Sequence, residues 1–310
     1  MTDTKATAIP VFDAAQTARL LPYDRLVATL EATMIEYADG RIASPERMVV
    51  PLAEGAVMLS MPASARDLAM HKLVNVCPRN RALGLPTIHG QVTAFDASTG
   101  VPQFMLDGPT VTGRRTAAVT MLGIRSLFGP APGEVLVIGT GKQAIHHVEA
   151  LAGLFPAARI LIAGSQPARA EAFCAAHGAL SANLTVLASD IPDSVDVVIT
   201  TTTSKTPVYT LAARRGRLVI GVGAFTSDAA EIAASTVLGS AVYVDDPAGA
   251  RHEAGDLIQA GIDWNVVQPL AKVLRDDGTR GARPLMLKTV GCAAWDLAAC
   301  RVARNVLSEH

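Results

Sequence analysis

The sequence predicts an α/β protein: a Rossmann-type doubly wound parallel sheet plus an α+β domain. Three observations carry that prediction. From residue 134 onward, short β-branched strands alternate with Ala-rich helices, the pattern of a parallel sheet covered on both faces. The stretch Glu134-Val-Leu-Val-Ile-Gly139-Thr140-Gly141-Lys142-Gln143-Ala144 reads as strand, glycine turn and helix start. The first third reads instead as a helix followed by a mostly antiparallel sheet. With 310 residues in the chain, and roughly 100–200 residues to a domain, two domains are expected.

Taken in order, residues 14–39 carry apolar side chains at helical spacing, and Asp39-Gly40 ends the run. Arg47–Pro51 and Ala56–Met61 are short β-rich runs separated by Glu54-Gly55, a hairpin signal. Residues 68–76, 87–96 and 101–106 supply further strands bounded by Pro or Gly. Residues 114–128 form a helix that Gly129-Pro-Ala-Pro-Gly133 breaks. Strand 134–138, helix 142–153, strand 159–163, helix 167–177 and strands 195–200, 217–222 and 241–245 follow. Residues 291–306, with Trp295, Leu297 and Val302, are helical again and are expected to return to the first domain. The predicted domains are therefore 1–115, completed by the C-terminal helix 291–310, and 116–290.

Composition excludes several classes. Half of the residues are hydrophobic and 18% are charged, enough for a sizeable core and too apolar for a disordered chain. A formal net charge of −1 leaves no basic excess to hold a nucleic-acid backbone, so no such partner is expected. A small anion needs only a local cluster of Arg and Lys. Cys77, Cys174, Cys292 and Cys300 form no C-x-x-C pair and lack zinc-finger spacing to histidines. They read as reduced thiols in a cytoplasmic protein. His146 and His147 are adjacent and point in different directions on a helix, so no metal is expected there. The start Met1-Thr-Asp-Thr-Lys-Ala6 shows no signal peptide, and no apolar run reaches the ~20 residues of a membrane helix.

The turn after the strand at 134–138 has the G-x-G-x-x-A form, and each position has a physical task. Gly139 permits the tight turn, Gly141 lets backbone approach a pyrophosphate, and Ala144 lets the helix pack on the sheet. The N–H groups of Thr140, Lys142 and Gln143 and the helix dipole suit the phosphates. A lone glycine motif is weak evidence. Here it follows a strand, opens a helix and precedes a second βα unit. The next strand ends in Gly164-Ser165-Gln166 with Arg169 beyond, and no Asp or Glu waits there for a ribose 2′-hydroxyl. The expected cofactor is NADP(H), with NAD(H) left open.

Outside that part, Arg47, Lys72 and Arg115 sit within apolar strand or helix patterns, where an unpaired charge would be expensive. Arg forks suit carboxylates. Singly, each reads as a surface or salt-bridged residue. Their setting says more: Lys72…Asn75…Pro78-Arg-Asn80…Gly84-Leu-Pro-Thr-Ile-His-Gly90…Asp96…Thr112-Gly-Arg-Arg-Thr-Ala-Ala118. The later Val197-Val-Ile-Thr200-Thr-Thr202, Gly221-Val222-Gly-Ala224…Glu231, Glu253-Ala-Gly-Asp-Leu257 and Lys288-Thr-Val-Gly291…Asp296 continue the series. From about residue 44 to 300 this order of motifs resembles the ornithine cyclodeaminase/μ-crystallin family.

The resemblance implies a homodimer whose N-terminal sheet and C-terminal helix form the substrate and dimerisation domain. It implies that Arg47, Lys72 and Arg115 meet the carboxylate of an amino or imino acid. It also implies cofactor contacts at Thr116, Thr200, Thr202, Val222, Lys288 and Gly291. One position departs from the pattern: Phe225 stands where ornithine cyclodeaminases carry an Asp that handles the substrate amine. Asp228, three residues on, reads as a loop residue or helix cap. The expected activity is therefore NAD(P)H-dependent reduction of a cyclic ketimine, Δ1-pyrroline-2-carboxylate or Δ1-piperideine-2-carboxylate, to L-proline or L-pipecolate. Lys72 is the candidate for proton handling, and Phe225 for an apolar wall beside the ring. Ornithine cyclodeamination, alanine-type dehydrogenation and non-catalytic binding of NADPH with a small carboxylate are the alternatives.

Overall fold

The computed structural model describes residues 8–275 and 283–309. The chain folds into two compact units. One comprises the chain up to Thr29, Glu36–Thr112 and the chain from Cys292 on; the other comprises Leu30–Ile35 and Gly113–Gly291.

The first unit opens with α1 (Ala14–Leu20) and the start of α2 (Tyr23–Ala38). The expected single helix over 14–39 is thus two. Pro22 has no N–H to give, and it disfavours the helical region for Leu21, whose φ is −123° and ψ 59°. Asp13 caps α1: its carboxylate accepts from the Gln16 N–H at 2.8 Å, and the Gln16 side chain accepts in return from the Asp13 N–H at 2.9 Å.

An antiparallel sheet follows, with β1 (Met48–Pro51), β2 (Val57–Ser64), β3 (Ala69–Val76), β4 (Ile88–Phe95) and β5 (Pro102–Asp107) in sequence order. Alternation gives the sheet its faces. On β3, Met70, Lys72 and Val74 are the buried positions. α10 (Ala293–Leu307) packs on β2 and β3, and every residue from Ala293 to Cys300 is buried. Trp295 on this helix meets Tyr37 edge-on, with ring centroids 5.5 Å apart.

The helix expected over 114–128 begins earlier. α3 runs Gly108–Gly123 and ends in a wider π turn, Ile124–Phe128. Asp107 explains the start, because its carboxylate accepts from the Thr110 N–H at 2.8 Å, the bond of an N-cap, with Pro109 in the first turn.

The second unit is an eight-stranded sheet in which every neighbouring pair is parallel. Its strands are β6 (Glu134–Ile138), β7 (Arg159–Ala163), β8 (Leu184–Val186), β9 (Val197–Thr200), β10 (Leu218–Gly221), β11 (Ala241–Val244), β12 (Gln268–Pro269) and β13 (Leu285–Lys288). Their spatial order is β12-β11-β13-β10-β9-β6-β7-β8. β6, β9 and β10 are buried along their whole length, as short apolar runs in a covered sheet should be. The helices of this unit are α4 (Lys142–Leu154), α5 (Pro167–His177), α6 (Ala234–Gly239), α7 (Pro247–Glu253), α8 (Gly255–Gln259) and α9 (Leu270–Arg275). From β6 the chain winds one way to β7 and β8, then returns to β9 on the other side. The carboxyl ends of β6 and β9 therefore form the switch point at which doubly wound sheets bind ligands.

Candidate functional site

The registers bring Ile138, Ala163, Thr200, Gly221 and Lys288 onto one row at the carboxyl end of the parallel sheet. The loops leaving this row carry most of the expected cofactor residues.

Gly139 leaves β6 with φ +135°, and a Cβ there would collide with Oγ1 of Thr201. Only glycine fits both the dihedral and the close approach. Gly141 is the N-cap of the 13-residue α4, no side chain caps the helix, and a Cβ on Gly141 would meet nothing within 4 Å. The first amide groups of α4, Lys142 to Ala144, are thus available to an outside acceptor at the positive end of the helix. Gln143 adds a carboxamide oxygen that is buried without a hydrogen-bond partner. Ala144 is fully buried, and Thr140 is half-buried. An open glycine shelf and uncapped amides at the positive end of a helix fit a dinucleotide pyrophosphate.

After β7, Gly164 turns into the exposed Ser165 and Gln166, with Arg169 exposed one turn along α5. A Cβ on Gly164 would press on Gln166 O at 3.1 Å and Ala170 N at 3.2 Å, so this turn too is tight. At the end of β9, Thr200 has a buried hydroxyl with no hydrogen-bond partner.

The next loops are braced by residues to which the sequence patterns attached no role. Glu231 is fully buried and accepts three backbone N–H groups: Thr202 at 2.5 Å, Gly223 at 2.6 Å and Ala224 at 3.0 Å. Asp256, also buried, accepts the N–H of Glu231 at 2.5 Å and of Ile232 at 2.9 Å. Its other oxygen lies 2.8 Å from the ammonium of Lys288. Lys288 is therefore wholly inside the unit, holding Asp256 rather than presenting its charge outward. Val222 is buried and its N–H donates to Thr200 O at 3.0 Å. Phe225, on the same loop, is exposed. Asp228 is exposed too, and its carboxyl is held below the usual range by hydrogen bonds from Lys205 and Thr226, at 2.6 and 2.7 Å.

Arg115 and Thr116 are buried on α3. The Arg115 guanidinium lies so close against Gly291 that a Cβ there would collide with Nη1. Gly291 has φ +73°, and Asp245 fixes it by accepting the N–H groups of Val290 and Gly291, each at 2.9 Å.

In the first unit Arg47 is half-buried immediately before β1. Lys72 is 3% exposed, and its Nζ lies 2.5 Å from Oδ2 of Asp296, which is fully buried in the first turn of α10. Among the described residues, no group of three His, Cys, Asp or Glu side chains could hold a metal ion, and no helix is long and apolar enough to cross a membrane.

Comparison with known proteins agrees with this arrangement of motifs. Residues 10–310 match the profile of the ornithine cyclodeaminase/mu-crystallin family. Over 308 residues the chain is 65% identical to Δ1-pyrroline-2-carboxylate reductase 2 of Burkholderia ambifaria, covering 99% of each chain. It is 64% identical over the same length to the Δ1-pyrroline-2-carboxylate/Δ1-piperideine-2-carboxylate reductase of Azospirillum brasilense, again covering 99% of each. The solved structure of Thermococcus litoralis Δ1-pyrroline-2-carboxylate reductase in complex with NADH and L-proline superposes with a TM-score of 0.86, at 22% identity, over 97% of this chain and 98% of that one. At that identity the likeness bears on the fold. A profile that spans the chain and relatives at this level of identity leave one conclusion: the chain belongs to the ornithine cyclodeaminase/mu-crystallin family.

Proposed function

We propose that this chain reduces a cyclic ketimine carboxylate with NAD(P)H, converting Δ1-pyrroline-2-carboxylate to L-proline or Δ1-piperideine-2-carboxylate to L-pipecolate. The observation that carries this reading is the full-length identity of 65% and 64% to two reductases of these substrates. The nicotinamide supplies the hydride when bound. The rest is the work of the chain's own residues. The amides of Lys142, Gln143 and Ala144 hold the pyrophosphate. Arg47, Lys72 and Arg115 bind the substrate carboxylate, and that fixed orientation lowers the entropic part of the barrier. Lys72 keeps a proton at hand for the imine nitrogen, directly or through water, because an iminium accepts hydride more readily than a neutral imine. Phe225 offers an apolar surface to a ring that has no terminal amine. Thr116, Thr200, Thr202, Val222 and Gly291 line the cofactor, and Lys288 serves it by bracing the strand end.

Ser165, Gln166 and Arg169, exposed after β7 with no carboxylate among them, support NADP(H) over NAD(H). Residues 116–290 carry the cofactor, and 1–115 with 291–310 carry the substrate and the dimer interface. Support for a homodimer comes from β1, an edge strand with Met48, Val49 and Val50 exposed. A cytoplasmic location agrees with four cysteines that all stand as free thiols.

The test is NADPH oxidation over a panel of five- and six-membered cyclic ketimines, with ornithine-dependent ammonia release followed in parallel. Turnover of a ketimine without ammonia release is expected. Ammonia from ornithine with no net NADH would identify a cyclodeaminase. A dependence of NAD(P)H oxidation on added ammonia or amine would identify a dehydrogenase. Tight NADPH binding with no turnover would leave a binding protein. Lys72→Ala should abolish turnover while cofactor binding stays; an unchanged kcat/KM removes Lys72 from the mechanism.

A further inference from the structure

Lys72 is out of place by every rule of its surroundings. Its neighbours along the buried face of β3 are Met70 and Val74. Its cross-strand partners are Met61 on β2 and Val92 on β4, both buried. A charged side chain thus stands in an apolar layer between the sheet and α10. Asp296 meets it there at 2.5 Å, with both side chains withdrawn from solvent. Burying two charges costs more than their attraction returns unless the geometry is excellent, and well-packed apolar residues would serve such a layer as well or better. Packing alone gives such a pair no reason to stand in this layer, which turns attention to what Lys72 does.

A lysine buried alone tends to shed its proton, because desolvation disfavours the ammonium. A neutral amine would neither attract a carboxylate nor have a proton to give to an imine. A carboxylate at 2.5 Å reverses that preference and holds the ammonium in place. We propose that Asp296 is a positioning residue of the active site, which keeps Lys72 charged and aimed for the carboxylate and the imine of the substrate. This rests on the reductase reading of the same site. The residue acts through Lys72 and needs no contact with substrate.

Four other titratable groups near the pair are placed differently. Cys300, one turn along α10, is fully buried, and burial and the Asp296 charge push its thiol pKa far up, so it remains protonated. Arg304 is engaged by Asp67 at 2.7 Å, and Arg301 by Glu36 and Asp67 at 2.7 and 2.5 Å. His71 belongs to the opposite face of β3 and bonds Ser60 at 2.8 Å.

The experiment follows Lys72 directly. In protein carrying 13C at the lysine Cε, the Lys72 signal should keep its ammonium shift past about pH 9 in the wild type and move to the neutral form around pH 7 in Asp296→Asn. The pH profile of kcat/KM for ketimine reduction should show the same displacement of its alkaline limb. Activity should be down roughly tenfold or more near pH 8 and partly recovered near pH 6, with NADPH affinity unchanged. A neutral Lys72 in the wild type near pH 8 overturns the proposal, and this measurement needs no variant to fold. So does an Asp296→Asn enzyme whose profile superimposes on the wild type, or whose loss is equal at every pH. If the wild type turns over no ketimine, the reductase reading falls instead, and the lysine titration still decides whether Asp296 maintains the charge.

Discussion

Among the described residues, each unit buries a Lys–Asp pair, and the two pairs are built differently. In the second unit, Lys288 and Asp256 belong to a mesh: Asp256 also accepts two backbone N–H groups, and through Glu231 the mesh reaches three more at the ends of β9 and β10. In the first unit, Lys72 and Asp296 join a strand to a helix across a layer whose sheet neighbours are methionine and valine. A pair woven into backbone hydrogen bonds holds loops in place. A pair set among apolar side chains invites a different explanation, one in which the charge itself is wanted.

Stability and activity should separate the two. Replacing the first pair by Lys72→Met with Asp296→Leu should leave the melting temperature near or above wild type while turnover disappears, because hydrophobes of similar volume fill such a layer well. Replacing the second by Lys288→Met with Asp256→Leu strands the buried N–H groups of Glu231 and Ile232. At about 1–3 kcal/mol each, that loss should lower Tm by roughly 5–20 °C in calorimetry. Equal losses in the two double variants would erase the distinction.

His147 sharpens the comparison from another side, as a buried group kept neutral rather than paired. Burial holds its pKa down to about 4, against a weaker opposing bond to the Gln143 carbonyl and with help from His146. Its imidazole lies 2.7 Å from that carbonyl and 2.9 Å from the Thr120 hydroxyl. The unfolded chain binds this proton near pH 6.5 and the folded chain only near 4. Its contribution is complete above about pH 6.5 and disappears as pH falls from there towards 4, amounting to roughly 3 kcal/mol. Chemical denaturation between about pH 7 and 4.5 should show a shallower acid loss for His147→Gln; parallel curves would deny the role.

The smallest effect belongs to an exposed cation. Arg169→Ala should weaken NADPH binding by about tenfold and leave NADH nearly unchanged, the scale of one charged hydrogen bond. Titration of both cofactors by fluorescence checks it, and equal losses would free Arg169 from cofactor choice.

Much of the fold could be read from the chain. β6, β7 and α5 fall where their patterns put them, because clean apolar runs bounded by Gly or Pro leave little choice. β8 and β12, with three and two residues, and the short helices α6 to α9 carry too few positions to show a period. The break at Pro22 is visible in the sequence, but the apolar stripe continues on either side and masks it. At the candidate site, the glycine turn is legible because its constraint is local. Asp296 lies 224 residues from Lys72, and Glu231 serves loops 29 and 8 residues before it. Those partnerships are made by topology, which periodicity does not encode.

The position of β13 has a consequence for how the chain is made. It follows every other strand of its sheet in sequence, yet it lies between β10 and β11. Until a ribosome has released residues 285–288, those two strands have no common neighbour, and the eight-stranded sheet stands as two fragments. α10, which covers β2 and β3, emerges later still. Neither unit can close before these segments appear, so both long-range closures wait until nearly all of the elements described above have been made. Nascent chains must carry apolar strands uncovered through most of that extension, the state in which chaperones are most needed.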